Sequence, residues 1–369
     1  MEEIRDLYYK QKKLFENENP TLDFEENYEE RLPYLKIVDE YVSERYKENP
    51  KDIDLVSLLS AIRVLVSYDE NYYADVLKDF LEENKDTLSD KDKARIFTNL
   101  AFYYENREKA EEYLLEAARL NSPYAETYRG LGLDYFDKYT DTKEKELVRK
   151  SLECFSKARE LSKDYAIEFS YGALLFENGK YKEAKKVFKE LLSEFPNRTR
   201  LLLALTYCEY YLGNREEVYN YLTKLKIGQD ENYSLHTDEI DEEEVWYLYY
   251  ALEEYDTFID FYGNSDNSWF LLVLEHYLYA LWVKGECDEF YDLIEEFKRT
   301  TKRNIEEVNS EDTWSEEETS EIISDYKNDL KEADELIDKI VNKNYKPEAR
   351  FSLYPEFGCY LVDCILHKF

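Results

Sequence analysis

Apolar and polar positions between Tyr165 and Pro196 alternate with the period of two short helices. The first helix carries Tyr171, Gly172 and Leu175, and Asn178-Gly179-Lys180 marks a turn. The second carries Tyr181, Ala184, Phe188 and Leu191 and runs into Glu194-Phe195-Pro196. Apolar side chains three or four residues apart lie on one helix face, so each helix has one face to bury. Gly179 suits the positive φ that a tight helix exit needs, and Pro196 cannot continue a helix. Gly172 and Ala184 are small, which lets the two helices approach closely, while Phe188 and Leu191 fill the seam to the next pair.

Sliding the chain by 34 residues places Gly179 on Gly213, Tyr181 on Arg215, Ala184 on Val218, Phe188 on Leu222 and Leu191 on Leu225. A fixed period of this size predicts stacked helical hairpins, because no single unit can bury its own apolar face. The unit from Thr199 to about Lys226 has Thr206 where the glycine is expected. The unit before, from about Ala125, has Tyr128, Leu131, Gly132 and Tyr135 in its first helix and Phe155 and Ala158 in its second, with extra residues around Asp141–Arg149. Ahead of it stand Phe97, Leu100, Ala101 and Tyr104, then Ala110, Leu114 and Ala117 with a shortened turn. A later, degenerate unit has Tyr277, Trp282, Gly285, Phe290, Ile294 and Phe297, with Leu278 at the small position.

Outside these units the pattern predicts helices over Glu30–Lys47, Asp52–Ser67, Tyr72–Asn84 and Asp90–Tyr104. Lys226–Asp241 and Thr301–Thr313 read as polar breaks. Ser315-Glu316-Glu317-Glu318 has the form of a capping box. It opens a helix to about Asn342 with Ile322, Ile323, Tyr326, Leu330, Ala333, Ile337 and Ile340 on one face. The organisation expected is a helical N-terminal region 1–90, core repeats 91–226, a polar loop 227–240, degenerate repeats 241–300 and C-terminal capping helices 301–369. The tail from Ala349 is apolar enough to pack.

The spacing Gly172, Ala184, Phe188, Pro196 resembles the tetratricopeptide repeat (TPR). The resemblance covers 165–226 best, then 94–164, and reaches 240–300 and 31–90 only as pattern. It implies an all-α, right-handed superhelical solenoid of antiparallel helix pairs, closed by a longer C-terminal helix. It also implies a non-catalytic protein that binds a peptide or protein in a groove lined by the first helices. Carrying the groove positions over gives Phe102, Arg129, Phe136, Phe169, Phe176, Leu203, Tyr207, Tyr210, Tyr279 and Trp282. Aromatic side chains facing a concavity would clamp an extended or helical peptide; the bland reading is that they only pack on neighbouring helices. TPR domains that hold a terminal carboxylate use Lys, Asn and Arg at recurring groove positions. Here those places hold Thr98, Phe102, Arg129, Leu133, Phe169, Ala173, Leu203 and Tyr207, so only Arg129 has the right charge.

Charge and chemistry narrow this further. The formal net charge is -35 over 369 residues, which repels nucleic-acid phosphates and anionic membrane surfaces and favours a basic protein partner. It also supports a different reading, an acidic inhibitor or immunity protein that occupies the nucleic-acid channel of a basic target. The bland reading is that the acids keep a surface with 37 tyrosines soluble. Cys154, Cys208, Cys287, Cys359 and Cys364 are odd in number and form no CxxC, as expected of reduced thiols in a cytoplasmic protein. The first residues lack a signal-peptide apolar core, and no apolar run is long enough to span a bilayer. Of three histidines, His236 falls in a polar stretch, His276 in an apolar helix, and His367 lies three residues after Cys364. Cys359 is a poor third ligand for that pair, so no metal site is expected. No phosphate loop, HExxH or GxSxG is present, and neither an enzyme activity nor a cofactor is expected. Oligomeric state is not legible.

Overall fold

The computed structural model describes residues 2–24, 27–104, 106–196, 198–225, 240, 242–263, 271–310, 315–362 and 364. The described residues form helices, turns, bends and irregular segments, with no strand among them. The chain divides into two compact units, unit 1 comprising Met1–Tyr219 with Ser352–Phe369 and unit 2 comprising Asn220–Phe351.

Unit 1 opens with α1 (Glu2–Glu18), α2 (Tyr28–Glu48) and α3 (Ile53–Val66), then the short α4 (Glu70–Tyr73) and α5 (Asp75–Asn84). The helix expected over 72–84 is thus broken at Ala74. Asp69 caps α4 by accepting the Asn71 N–H at 3.0 Å, and buried Ala74 begins a fresh turn. Three packed hairpins follow: α6 (Asp90–Tyr103) with α7 (Arg107–Arg119), α8 (Ala125–Thr142) with α9 (Lys145–Leu161), and α10 (Tyr165–Glu177) with α11 (Tyr181–Glu194); after them come α12 (Thr199–Tyr211) and α13 (Arg215–Leu222), whose residues from Asn220 on fall in unit 2. Each second helix through α11 packs on the first helix of the next pair, so the hairpins stack in a row.

The sequence accounts for the stacking side chain by side chain. A Cβ on Gly172 would lie 2.6 Å from the Phe188 ring, and one on Gly132 would lie 2.5 Å from the Phe155 ring. The small position therefore receives the aromatic ring of its own second helix, and both rings are fully buried. Gly179 has φ 72° and Gly213 has φ 74°. At both, the helix exit is closed by paired main-chain bonds, Lys180 N–H to Leu175 O at 2.8 Å and Asn214 N–H to Glu209 O at 2.9 Å. The extra residues near Asp141–Arg149 do not form a loop. They lengthen α8 to 18 residues and α9 to 17, against 13 and 14 in the next hairpin.

In unit 2, α14 (Glu242–Ala251) pairs with α15 (Tyr255–Gly263), and α16 (Leu271–Lys284) with α17 (Cys287–Ser310). The long α18 (Glu316–Lys343) packs on α16 and α17 through Ala333, Leu336 and Ile340. Ser315 and Glu318 form the expected capping box. Two expectations are corrected. The break assigned to Thr301–Thr313 is absent through Ser310: Thr301 is buried with its hydroxyl donating to Phe297 O at 3.0 Å, and the polar residues after it are the outer side of α17. The region 301–369 is also not helical throughout. After Asn344 caps α18 with φ 51°, the chain to Leu361 forms no helix. The loop expected over 227–240 lies, Ile240 aside, outside the described residues.

Candidate functional site

The returning segment Ser352–Val362 lies against the first helices of three successive unit 1 hairpins. Its polar contacts run to side chains on α10, α8 and α6, in that order along the segment. Glu177 Oε1 accepts the Leu353 N–H at 2.8 Å, and Ser170 Oγ accepts the Glu356 N–H at 2.9 Å. Arg129 donates from Nη2 to the Glu356 carbonyl at 3.1 Å and from Nη1 to the Cys359 carbonyl at 3.2 Å. Asn99 Oδ1 accepts the Val362 N–H at 2.8 Å while its Nδ2 donates to the Val362 carbonyl at 3.4 Å. Asn99 is fully buried, so both halves of its amide need partners and the segment supplies them.

Apolar contacts interleave with these bonds. The Tyr360 ring stands edge-on to Phe102 with centroids 5.2 Å apart. It also lies over Gly130, where a Cβ would come within 2.9 Å of it. Phe136 meets Tyr354 at 5.9 Å and Phe357 at 6.2 Å. Leu353, Leu361 and Val362 are buried, whereas Tyr354 is 50% and Phe357 52% exposed. Beside the aromatic pair Phe357 and Tyr360, a cleft of about 220 Å³ opens toward Tyr104, Arg107, Asp134 and Asp137.

Electrostatics distinguish Glu177. Burial pushes its carboxyl up to about 7, opposed by the Leu353 N–H and by Lys143. Asp134 on the cleft wall is also raised by burial, with Lys138 at 2.8 Å working against the shift. The thiol of Cys359 is raised by its contact with Cys364 and by burial.

The ten residues expected to line a groove divide between the units. Phe102, Arg129 and Phe136 touch the returning segment. Phe169, Phe176, Leu203 and Tyr207 are at most 3% exposed. Phe169 packs on Phe188 at 5.4 Å, and Phe176 on Tyr181 at 5.2 Å and Tyr211 at 5.5 Å. They fill the seam between helices. Tyr210 is half-buried on α12. Tyr279 and Trp282 belong to unit 2, where Tyr279 meets Tyr255 at 6.0 Å and Trp282 meets Phe290 at 5.5 Å. Sequence reasoning missed Asn99, Gly130, Ser170 and Glu177. The first three occupy one repeat position, two residues before the small position of each hairpin at Ala101, Gly132 and Gly172 respectively, but share no residue type by which the pattern would mark them.

Among the described residues, no group of three or more His, Cys, Asp and Glu side chains is placed to hold a metal, and no helix is long and apolar enough to cross a membrane. His276 is buried in unit 2, its Nε2 2.9 Å from the Tyr247 hydroxyl. His236 and His367 lie outside the described residues.

No protein-family model matches the chain, and no curated protein matches it either. Among solved structures it is similar to YrrB, described as a TPR protein with an unusual peptide-binding site. That match has 19% identity and a TM-score of 0.40, and covers 50% of this chain and 91% of YrrB. It is also similar to yeast Tom70, at 12% identity and a TM-score of 0.36, over 86% of this chain and 63% of Tom70.

Proposed function

We propose that this chain is a non-catalytic interaction scaffold that takes a peptide or protein partner on the face formed by α6, α8, α10 and α12. One observation carries the reading: side chains on three successive first helices hold the main chain of a non-helical segment. Asn99, Arg129, Ser170 and Glu177 bond to amide and carbonyl groups that every peptide presents. Aromatic side chains between them add contact area at small entropic cost. Nothing in the fold favours the acidic-inhibitor reading.

Photo-crosslinking in the host tests the assignment of the face. A photoreactive phenylalanine at Tyr210 or Phe102 should capture a discrete partner. The same residue at Leu161, exposed on the second helix α9, should not. Equal capture from Leu161, or none from Tyr210 and Phe102, would refute the reading.

A further inference from the structure

We propose that Ser352–Val362 is a displaceable occupant of this groove, and that the partner is an extended segment of the same chemistry, with an aromatic side chain at every third position. The inference deepens the scaffold reading and rests on it.

Spacing carries the argument. The main-chain groups that the helices hold belong to Leu353, Glu356, Cys359 and Val362, every third residue. The aromatic side chains, Tyr354, Phe357 and Tyr360, also recur every third residue. Both sets match a ribbon of three residues per turn, which presents one backbone edge and one side-chain row to a surface. The bonds to the main chain read no sequence, so a foreign segment in the same register satisfies Glu177, Ser170, Arg129 and Asn99 equally well. Specificity falls to the aromatic row, whose first two members fit least closely while Tyr360 packs on Phe102 and Gly130. Tyr354 and Phe357 are half exposed, and the cleft beside Phe357 is left open. The ends of the segment are held better, with Leu353, Leu361 and Val362 buried.

A tethered segment faces the groove at an effective concentration on the order of millimolar. A free peptide of equal intrinsic affinity therefore binds the intact chain weakly, and binds more tightly once the resident segment is weakened. The probe is a fluorescent peptide with the sequence of residues 349–362, titrated into the full chain and into its Tyr354→Ala/Phe357→Ala variant. The two substituted side chains are half exposed, so the variant should keep its fold. Binding about tenfold tighter to the variant is expected, since one edge-on and one tilted ring contact with Phe136 are removed. A scrambled peptide that breaks the three-residue spacing should bind at least about tenfold more weakly than the probe.

Hydrogen exchange on the same samples separates the outcomes. Fast exchange of residues 352–362 in the variant without a gain in peptide binding would overturn the proposal, because an opened groove would then refuse the ligand. Faster exchange throughout α6, α8 and α10 would overturn it too, by making the segment part of the core. Concentration-dependent dimerisation of the wild type through exchanged segments would assign the groove to a second copy and overturn the claim of a foreign partner. If the peptide fails while Tyr210 still captures a partner, this inference falls and the scaffold reading stands; if the peptide binds but neither Tyr210 nor Phe102 captures a partner, the scaffold reading falls and takes the inference with it.

Discussion

The contact of Gly172 with Phe188 makes the sharpest test of how the hairpins are built. A methyl group at residue 172 would sit 2.6, 2.9 and 3.1 Å from Phe188 Cε1, Cζ and Cδ1. The ring has little room to retreat, because Phe188 is 0% exposed and Phe169 lies 5.4 Å behind it. Gly172→Ala gains about 1 kcal/mol of helix propensity and loses roughly 1–3 kcal/mol to overpacking. A net loss of about 1 kcal/mol follows, whereas Gly172→Leu should cost several times more. Phe188→Ala should cost about 3–5 kcal/mol, as for truncation of a buried Phe. The informative variant is Gly172→Ala combined with Phe188→Leu, because a leucine vacates the ring positions the methyl would strike. One period on, the chain itself pairs a larger first residue, Thr206, with a smaller second one, Leu222. The double variant should lose at least about 1 kcal/mol less than the sum of its parts. With two units in the chain, a melting temperature ranks variants but yields no single unfolding free energy; native-state hydrogen exchange of α10 and α11 amides measures the hairpin directly. Additivity within about 0.5 kcal/mol would show that ring and glycine do not share space.

Three further outcomes are expected. Burial raises Glu177 from 4.5 to about 7, so the folded chain holds this proton more tightly than the unfolded one. Its contribution to stability is complete below about pH 4.5 and is lost as pH rises through 7, at most roughly 3 kcal/mol. Glu177→Gln should therefore melt higher than wild type at pH 8 and level with it near pH 4.5, and a pH-independent difference would contradict the shift. Glu209 is fully buried with Lys185 Nζ 2.6 Å away; Lys185→Met should cost roughly 2–3 kcal/mol by leaving a buried charge, and adding Glu209→Gln should restore most of the melting temperature. Burial pushes the Cys154 and Cys208 thiols up to about 12, while Cys287 is exposed. Mass mapping after brief alkylation at pH 8 should find Cys287 modified and Cys154 and Cys208 intact, and labelling of Cys154 or Cys208 would indicate opening of its helix pair.

Periodic features were legible because they are local. Gly179, Gly213 and Gly285 all sit at positive φ, and a glycine in a polar turn announces itself. The turn between α14 and α15 has the same closing bonds, Glu254 N–H to Tyr249 O at 2.9 Å, but Glu253 occupies the positive-φ position with φ 63°. No residue type marks that turn, so the hairpin was read only as pattern. Capping at Ser315 was legible from four residues. The continuation of α17 through Thr301–Ser310 was not, because a polar stretch on the outer side of a long amphipathic helix has the composition of a loop.

The groove shows a different limit. The positions two before each small residue, Asn99, Gly130 and Ser170, differ in chemistry, so a repeat pattern discards them as noise. Their differences follow the segment they face. Where its main chain offers an amide and a carbonyl, the helix has an amide side chain; where its Tyr360 ring comes down, the helix has no side chain; where it offers one N–H, the helix has a hydroxyl. Asn99 and Val362 are 263 residues apart in sequence, and no local rule relates them. Departures from a repeat at equivalent positions therefore record what the array holds. Exchange of Asn99 and Ser170 side chains, as Asn99→Ser with Ser170→Asn, keeps both residue types on the face and moves each off its partner. It should free the Val362 end of the segment, read as faster exchange at residues 359–362. Unchanged exchange there would mean that the match of side chain to segment is incidental.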